Sequence, residues 1–122
     1  MPIRVLIADD HRLFAEALEA VLAGDARIRV VAHASDGQQA VELAEQHDPD
    51  VVLMDISMPL LDGIEAAKRL RDDGSESRIL MLTGSNSRTD VSRAREAGAD
   101  GYVTKDRIAA ELIDAIVEVA ER

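Results

Sequence analysis

Hydrophobic and polar positions alternate along the chain in short β-branched runs separated by longer stretches of helical period. Five strands are predicted: IRVLIA (Ile3 to Ala8), RVVAHA (Arg29 to Ala34), VVLMD (Val51 to Asp55), RILMLT (Arg78 to Thr83) and GYVTK (Gly101 to Lys105). Between and after them, helices are predicted over residues 12–23, 37–47, 63–72, 86–97 and 107–121. The punctuation agrees: Gly24, Gly74 and Gly98 close the first, third and fourth helices, His47-Asp48-Pro49 follows the second, and Asp36-Gly37 and Asp62-Gly63 open the second and third.

Five βα units in succession demand a parallel sheet covered on both faces. The first, third and fourth strands are apolar almost throughout and belong in the centre, whereas RVVAHA is mixed and suits an edge. The expected fold class is α/β, a flavodoxin-like doubly wound sheet of five parallel strands in the order 2-1-3-4-5 with five helices. In such a sheet a ligand sits beyond the carboxyl ends of the strands, at the switch point beside strand one.

Those ends carry chemistry. Strand one runs into Asp9-Asp10, strand three ends at Asp55, strand four at Thr83 followed by Gly84 and Ser85, and strand five at Lys105. Adjacent strands lie about 4.8 Å apart, so three carboxylates converge and repel unless a cation joins them. An all-oxygen ligand set selects a hard cation, Mg2+ or Mn2+. The chain uses 12 arginines and two lysines, Lys68 and Lys105. A lysine at this edge, against that bias, supplies a compact point charge within reach of Asp55. Carboxylate nucleophile, divalent cation, lysine and hydroxyl together describe phosphoryl transfer to an aspartate. Taken singly, an Asp after a strand is usually a helix cap and a Thr a turn residue; it is their joint placement on four strand ends that argues for chemistry.

Composition narrows the field. With 24 acidic and 14 basic side chains the formal charge is −10, which argues against nucleic acid as a direct partner of these 122 residues. No cysteine is present, which excludes thiol chemistry and disulfides. No apolar run approaches the roughly 20 residues a bilayer requires, so the chain reads as soluble, cytoplasmic and without a membrane partner. Its length suits one domain, taken as residues 1–122.

Several motifs resemble the receiver domain of two-component response regulators: the acidic pair Asp9-Asp10, MDISMPLLDG (Met54 to Gly63), LTGS (Leu82 to Ser85), AGADGYVTK (Ala97 to Lys105) and Tyr102. The segments ADDHRLF (Ala8 to Phe14) and GYVTKD (Gly101 to Asp106) are similar to the NarL/FixJ-type transcriptional regulators, which join a receiver to a LuxR-type helix-turn-helix DNA-binding domain. The resemblance implies that Asp55 is the phosphoacceptor, supplied by a sensor histidine kinase. It implies that Asp10, Asp55 and the backbone carbonyl of Ser57 bind Mg2+ with Asp9 acting through a water, and that Thr83 and Tyr102 form a switch pair. It further implies a regulatory protein that catalyses only its own phosphorylation and dephosphorylation. DNA would be reached only through a helix-turn-helix domain that these residues do not contain; an excised receiver is favoured over a single-domain receiver that acts through protein contacts. Many receivers follow the lysine with a cis proline; here Asp106 follows Lys105, which leaves the isomer of that bond open.

Other functions fit the same residues less well. An Mg2+-dependent phosphatase with an aspartate nucleophile usually carries a second acid two positions on, where this chain has Ser57. A receiver that binds a partner without phosphorylation would not need the intact constellation. Dinucleotide binding fails because no G-x-G-x-x-G follows strand one. His11 is read as opening helix one rather than as a phosphate donor or metal ligand, nothing is assigned to His33 and His47, and Met54, Met58 and Met81 read as packing. Arg88, Arg93 and Arg95 on helix four read as a solvated face or a partner patch. Helices one and five have narrow polar stripes (Arg12, Glu16, Glu19; Arg107, Glu111, Asp114, Glu118, Glu121) and wide apolar arcs. Right-handed crossovers place both on one face of the sheet, where a homodimer through helices one and five is expected.

Overall fold

The computed structural model describes residues 2–84 and 88–121. Five strands, β1 (Ile3–Ala8), β2 (Ile28–Ala34), β3 (Val51–Asp55), β4 (Arg78–Thr83) and β5 (Gly101–Thr104), alternate with α1 (Arg12–Ala23), α2 (Gly37–His47), α3 (Gly63–Asp72), α4 (Arg88–Glu96) and α5 (Ile108–Ala120). The strands form one parallel sheet in the order β2-β1-β3-β4-β5, with the mixed strand on the edge as expected.

The sheet is buried on both faces, and the period of two assigns each strand residue to one layer. Leu6, Ala8, Val52, Met54, Ile79 and Met81 face α2, α3 and α4, where Val41, Ile64 and Leu70 complete the layer. Val5, Ile7, Leu53, Leu80, Leu82 and Val103 face α1 and α5, where Leu18, Leu22, Leu112 and Ile116 do the same. The near-continuous apolar runs of the three central strands are therefore two interleaved half-cores.

Helix starts follow local chemistry. Asp36 and Asp62 cap α2 and α3 by accepting from the backbone N–H of Gln39 and Glu65 at 2.7 and 2.8 Å. Gly63 is required for another reason: it sits so close to the backbone carbonyl of Asp55 that a Cβ would collide with it. At the opposite edge of the sheet, the Arg71 guanidinium ties the end of α3 to the segment after α4, donating to Gly98 O, Ser75 O, Ser77 O and Asp100 Oδ2 at 2.8–3.1 Å. Gly98 takes φ +103°, leaving room for that side chain.

Three boundaries differ from the sequence reading. β2 begins one residue earlier, at Ile28, which pairs with Ile3. The fourth helix is described from Arg88; the predicted start at residues 86 and 87, and Ser85 before it, lie outside the described residues. β5 ends at Thr104, its last pairing partner on β4 being Thr83, and Lys105 belongs to a 3-10 turn, Lys105–Arg107, that leads into α5. Among the described residues no peptide bond is cis, so Lys105–Asp106 is trans. No helix among the described residues is long and apolar enough to cross a membrane.

Candidate functional site

The carboxyl ends of β1, β3 and β5 meet at one spot. Asp9 and Asp10 follow the last residue of β1, Asp55 is the last residue of β3, and β1 and β3 are direct neighbours, with Ala8 opposite Met54. Asp9 and Asp55 are buried while Asp10 is exposed at the rim. One carboxylate oxygen from each of the three, together with a ring nitrogen of His11, lies within 4.8 Å of all the others.

Lys105 enters from the far side. Its ammonium donates to Asp55 Oδ2 at 3.2 Å and stands 3.6 Å from Asp9 Oδ2. The 3-10 turn brings the lysine back over the sheet edge once β5 has ended, so a trans bond is compatible with contact to Asp55. The same ammonium lies 4.5 Å from the centroid of the Phe14 ring, on the first turn of α1.

The remaining lone pairs are accounted for one by one. Asp55 Oδ1 accepts from the backbone N–H of Ser57 at 3.2 Å, and Asp9 Oδ1 from that of His11 at 2.8 Å. Asp9 Oδ2 is buried and has no hydrogen-bond partner. A buried carboxylate oxygen without a hydrogen bond is costly, and here the positive charge near it, the Lys105 ammonium at 3.6 Å, is shared with Asp55. Burial foremost, and then the neighbouring Asp9 carboxylate, push the Asp55 carboxyl above its ordinary range; Lys105 and the Ser57 N–H oppose that shift. Three carboxylates against one ammonium leave a surplus of negative charge, and an acid cluster of this kind, with one imidazole at its rim, fits a divalent cation such as Mg2+.

Thr83 ends β4, buried, in the strand next to Asp55. Tyr102 pairs with Met81 two residues earlier on β5, shares the face covered by α4, and keeps 40% of its surface exposed. A cavity beside it is lined by Val91, Ala94, Arg95 and Gly101.

Two residues lie closer to the site than the sequence reading gave them. His11 does open α1, as expected, but its Nδ1 also lies 3.4, 3.3 and 3.9 Å from carboxylate oxygens of Asp9, Asp10 and Asp55. The expectation of an acid cluster without histidine is thus corrected, and the adjacency of His11 to the acidic pair was the available signal. Phe14, three residues further on, lies on the same side of the first helical turn. His33, on β2, approaches the backbone oxygen of Asp9 with Nε2 at 3.3 Å.

Known proteins are similar to this one over nearly the whole chain. The transcriptional regulatory protein DegU of Brevibacillus brevis is 40% identical over 119 residues, 98% of this chain and 50% of DegU. The nitrate/nitrite response regulator protein NarL of Escherichia coli is 37% identical over 119 residues, 98% of this chain and 55% of NarL. The chain thus spans about half the length of these curated relatives. Among solved structures, the signal receiver domain of a response regulator named NarL from Mycobacterium tuberculosis superposes with a TM-score of 0.95 at 34% identity, covering 98% of this chain and 97% of that one. Residues 5–117 match the family described as response regulator receiver domain. With fold, sheet order and matched residues all in agreement, the protein belongs to the receiver domains of two-component response regulators and is similar to those of the NarL type.

Proposed function

We propose that the domain is a phosphorylation switch in which Asp55 accepts a phosphoryl group from the phosphohistidine of a sensor histidine kinase. One juxtaposition carries the reading: the Lys105 ammonium at 3.2 Å from Asp55 Oδ2, opposite the carboxylates of Asp9 and Asp10. An Asp55 oxygen attacks phosphorus; the P–O bond forms as the P–N bond to the kinase imidazole breaks, and the imidazole leaves with the electron pair. Lys105 neutralises the oxygens of the transferring group, and the Thr83 hydroxyl donates to one of them. Asp10, Asp55 and the Ser57 carbonyl would hold Mg2+ or Mn2+, with Asp9 acting through a water. When bound, that ion offsets the negative charge of the phosphoryl oxygens. Water later hydrolyses the acyl phosphate, so the chain catalyses only its own phosphorylation and dephosphorylation.

The switch follows from the new charge. A phosphoryl group on Asp55 draws the Thr83 hydroxyl toward it, and the half-exposed Tyr102 ring turns inward toward α4 behind it. The face formed by α4, β5 and α5 is thereby altered, a two-state element biased from one site. The phosphorylated form pairs with a second copy through α1 and α5. In the cytoplasm the pair controls a helix-turn-helix domain joined to the receiver, through which alone DNA is contacted. The name and length of DegU, a transcriptional regulatory protein about twice as long, support this last step.

The test is direct. With acetyl phosphate and Mg2+, intact-mass measurement should find one phosphate per chain, and Asp55→Asn or Asp55→Ala should abolish it. Persistent phosphorylation of either variant would overturn the assignment.

A further inference from the structure

We infer that His11 adds a nitrogen donor to the acidic pocket, so that the pocket takes borderline first-row divalent ions such as Ni2+ or Co2+ in preference to Mg2+. The inference rests on the reading of the pocket as a cation site, and the buried Asp9 Oδ2, which accepts no hydrogen bond and has the Lys105 ammonium 3.6 Å away, supports that reading independently of His11.

The geometry favours ligation over a simple ion pair. His11 Nδ1 lies 3.3 Å from Asp10 Oδ1, 3.4 Å from Asp9 Oδ1 and 3.9 Å from Asp55 Oδ2. Ligands bound at about 2.1 Å stand about 3.0 Å apart at right angles and about 4.2 Å apart when opposite. All three separations fall inside that range. A charge-assisted N–H···O bond would be shorter, about 2.7–2.9 Å, and Nδ1 makes none; it is shared almost evenly between two carboxylates.

Position and chemistry agree with this. The His11 backbone N–H is fixed by Asp9 Oδ1 at 2.8 Å, and its side chain makes no capping bond to α1. The ring is 65% exposed, forming the outer rim of the pocket, while Lys105 closes the inner side against the Oδ2 atoms of Asp9 and Asp55. Mg2+ prefers oxygen and keeps its waters. Imidazole suits Co2+, Ni2+ and Zn2+, whose affinities for a mixed N/O site exceed those of Mn2+. One nitrogen replacing one water at the rim is therefore a selectivity device, with the carboxylates common to both classes of ion.

Calorimetric titration of the full chain with Mg2+ and Ni2+ separately gives the ratio of affinities. His11→Ala should lower the Ni2+-to-Mg2+ ratio by at least about tenfold, as even outer-shell changes at metal sites do. With Co2+, the same variant should shift the visible ligand-field band. His47→Ala, on the last residue of α2, controls for adventitious binding to histidine and should leave the ratio as it is. If the wild-type chain binds Mg2+ without preferring Ni2+, or if His11→Ala leaves the ratio unchanged or raises it, the inference is overturned while the cation site stands. If the wild-type chain binds neither ion, the cation-site reading itself fails, and this one with it.

Discussion

The Lys105 ammonium lies 4.5 Å from the centre of the Phe14 ring while it donates to Asp55 at 3.2 Å, so an aromatic face on α1 and a carboxylate on β3 hold one cation between them. Lysine has a long flexible stem, and its position is set by what flanks the charged head. The chain contains one phenylalanine, and it stands here.

Replacing Phe14 should therefore loosen the lysine. A cation–π contact is worth about 0.5–2 kcal/mol, so Phe14→Leu should slow phosphorylation by acetyl phosphate roughly 2- to 30-fold. Phe14→Tyr should stay near the wild-type rate. Equal rates for Phe14→Leu and wild type would show that the ring does not position the ammonium.

The raised proton affinity of Asp55 makes stability depend on pH. Its carboxyl titrates higher in the folded chain than in the unfolded one, so the folded state binds more protons, and stability falls as pH rises from about 4 through the folded-state pKa. In EDTA, Asp55→Asn should melt higher than wild type at pH 7, and the difference should vanish below about pH 4. Added Mg2+ should narrow the gap at pH 7 by stabilising the wild type alone. A lower melting temperature for Asp55→Asn at pH 7 would contradict the shift.

Gly63 links the helix start to the site. A methyl group there meets the Asp55 carbonyl, and Gly63 N–H donates to Ile56 O at 2.8 Å, so the segment has no room to yield. Gly63→Ala should destabilise by roughly 1–3 kcal/mol in urea unfolding and weaken Mg2+ binding, whereas Gly74→Ala, where no atom lies near, should leave binding intact.

Dimerisation can be probed at the outer stripes of two helices. Leu13, Ala17 and Val21 are exposed on α1, and Ile113, Val117 and Ala120 are half-buried on α5. Leu13 is 81% exposed, so Leu13→Glu should fold normally. Light scattering should show the wild-type mass doubling with acetyl phosphate and Mg2+, and Leu13→Glu remaining monomeric. A monomer under both conditions for the wild type would remove the proposed dimer.

Much of this site was legible because strand ends are local features. Asp9, Asp10, Asp55 and Thr83 each terminate or follow an apolar run, and in a parallel sheet all such ends share one edge. His11 and Phe14 were harder to read. Their neighbourhood is created by the turn from β1 into α1, which folds the first helical residues back over β3 and the 3-10 turn. Lys105 was read as a strand residue because GYVTK continues the alternation; pairing ends at Thr104, where β4 offers no further partner.

The sequence by itself determined the sheet, its two-sided burial and the acidic edge, since hydrophobic period and strand termini are properties of consecutive residues. Only the tertiary structure decided which nitrogen answers which oxygen: Lys105 the Oδ2 atoms of Asp55 and Asp9, His11 the Oδ1 atoms of Asp9 and Asp10. Those partners lie up to 96 residues apart in sequence, at Asp9 and Lys105. Their distances depend on helix placement and side-chain direction, which no local pattern encodes.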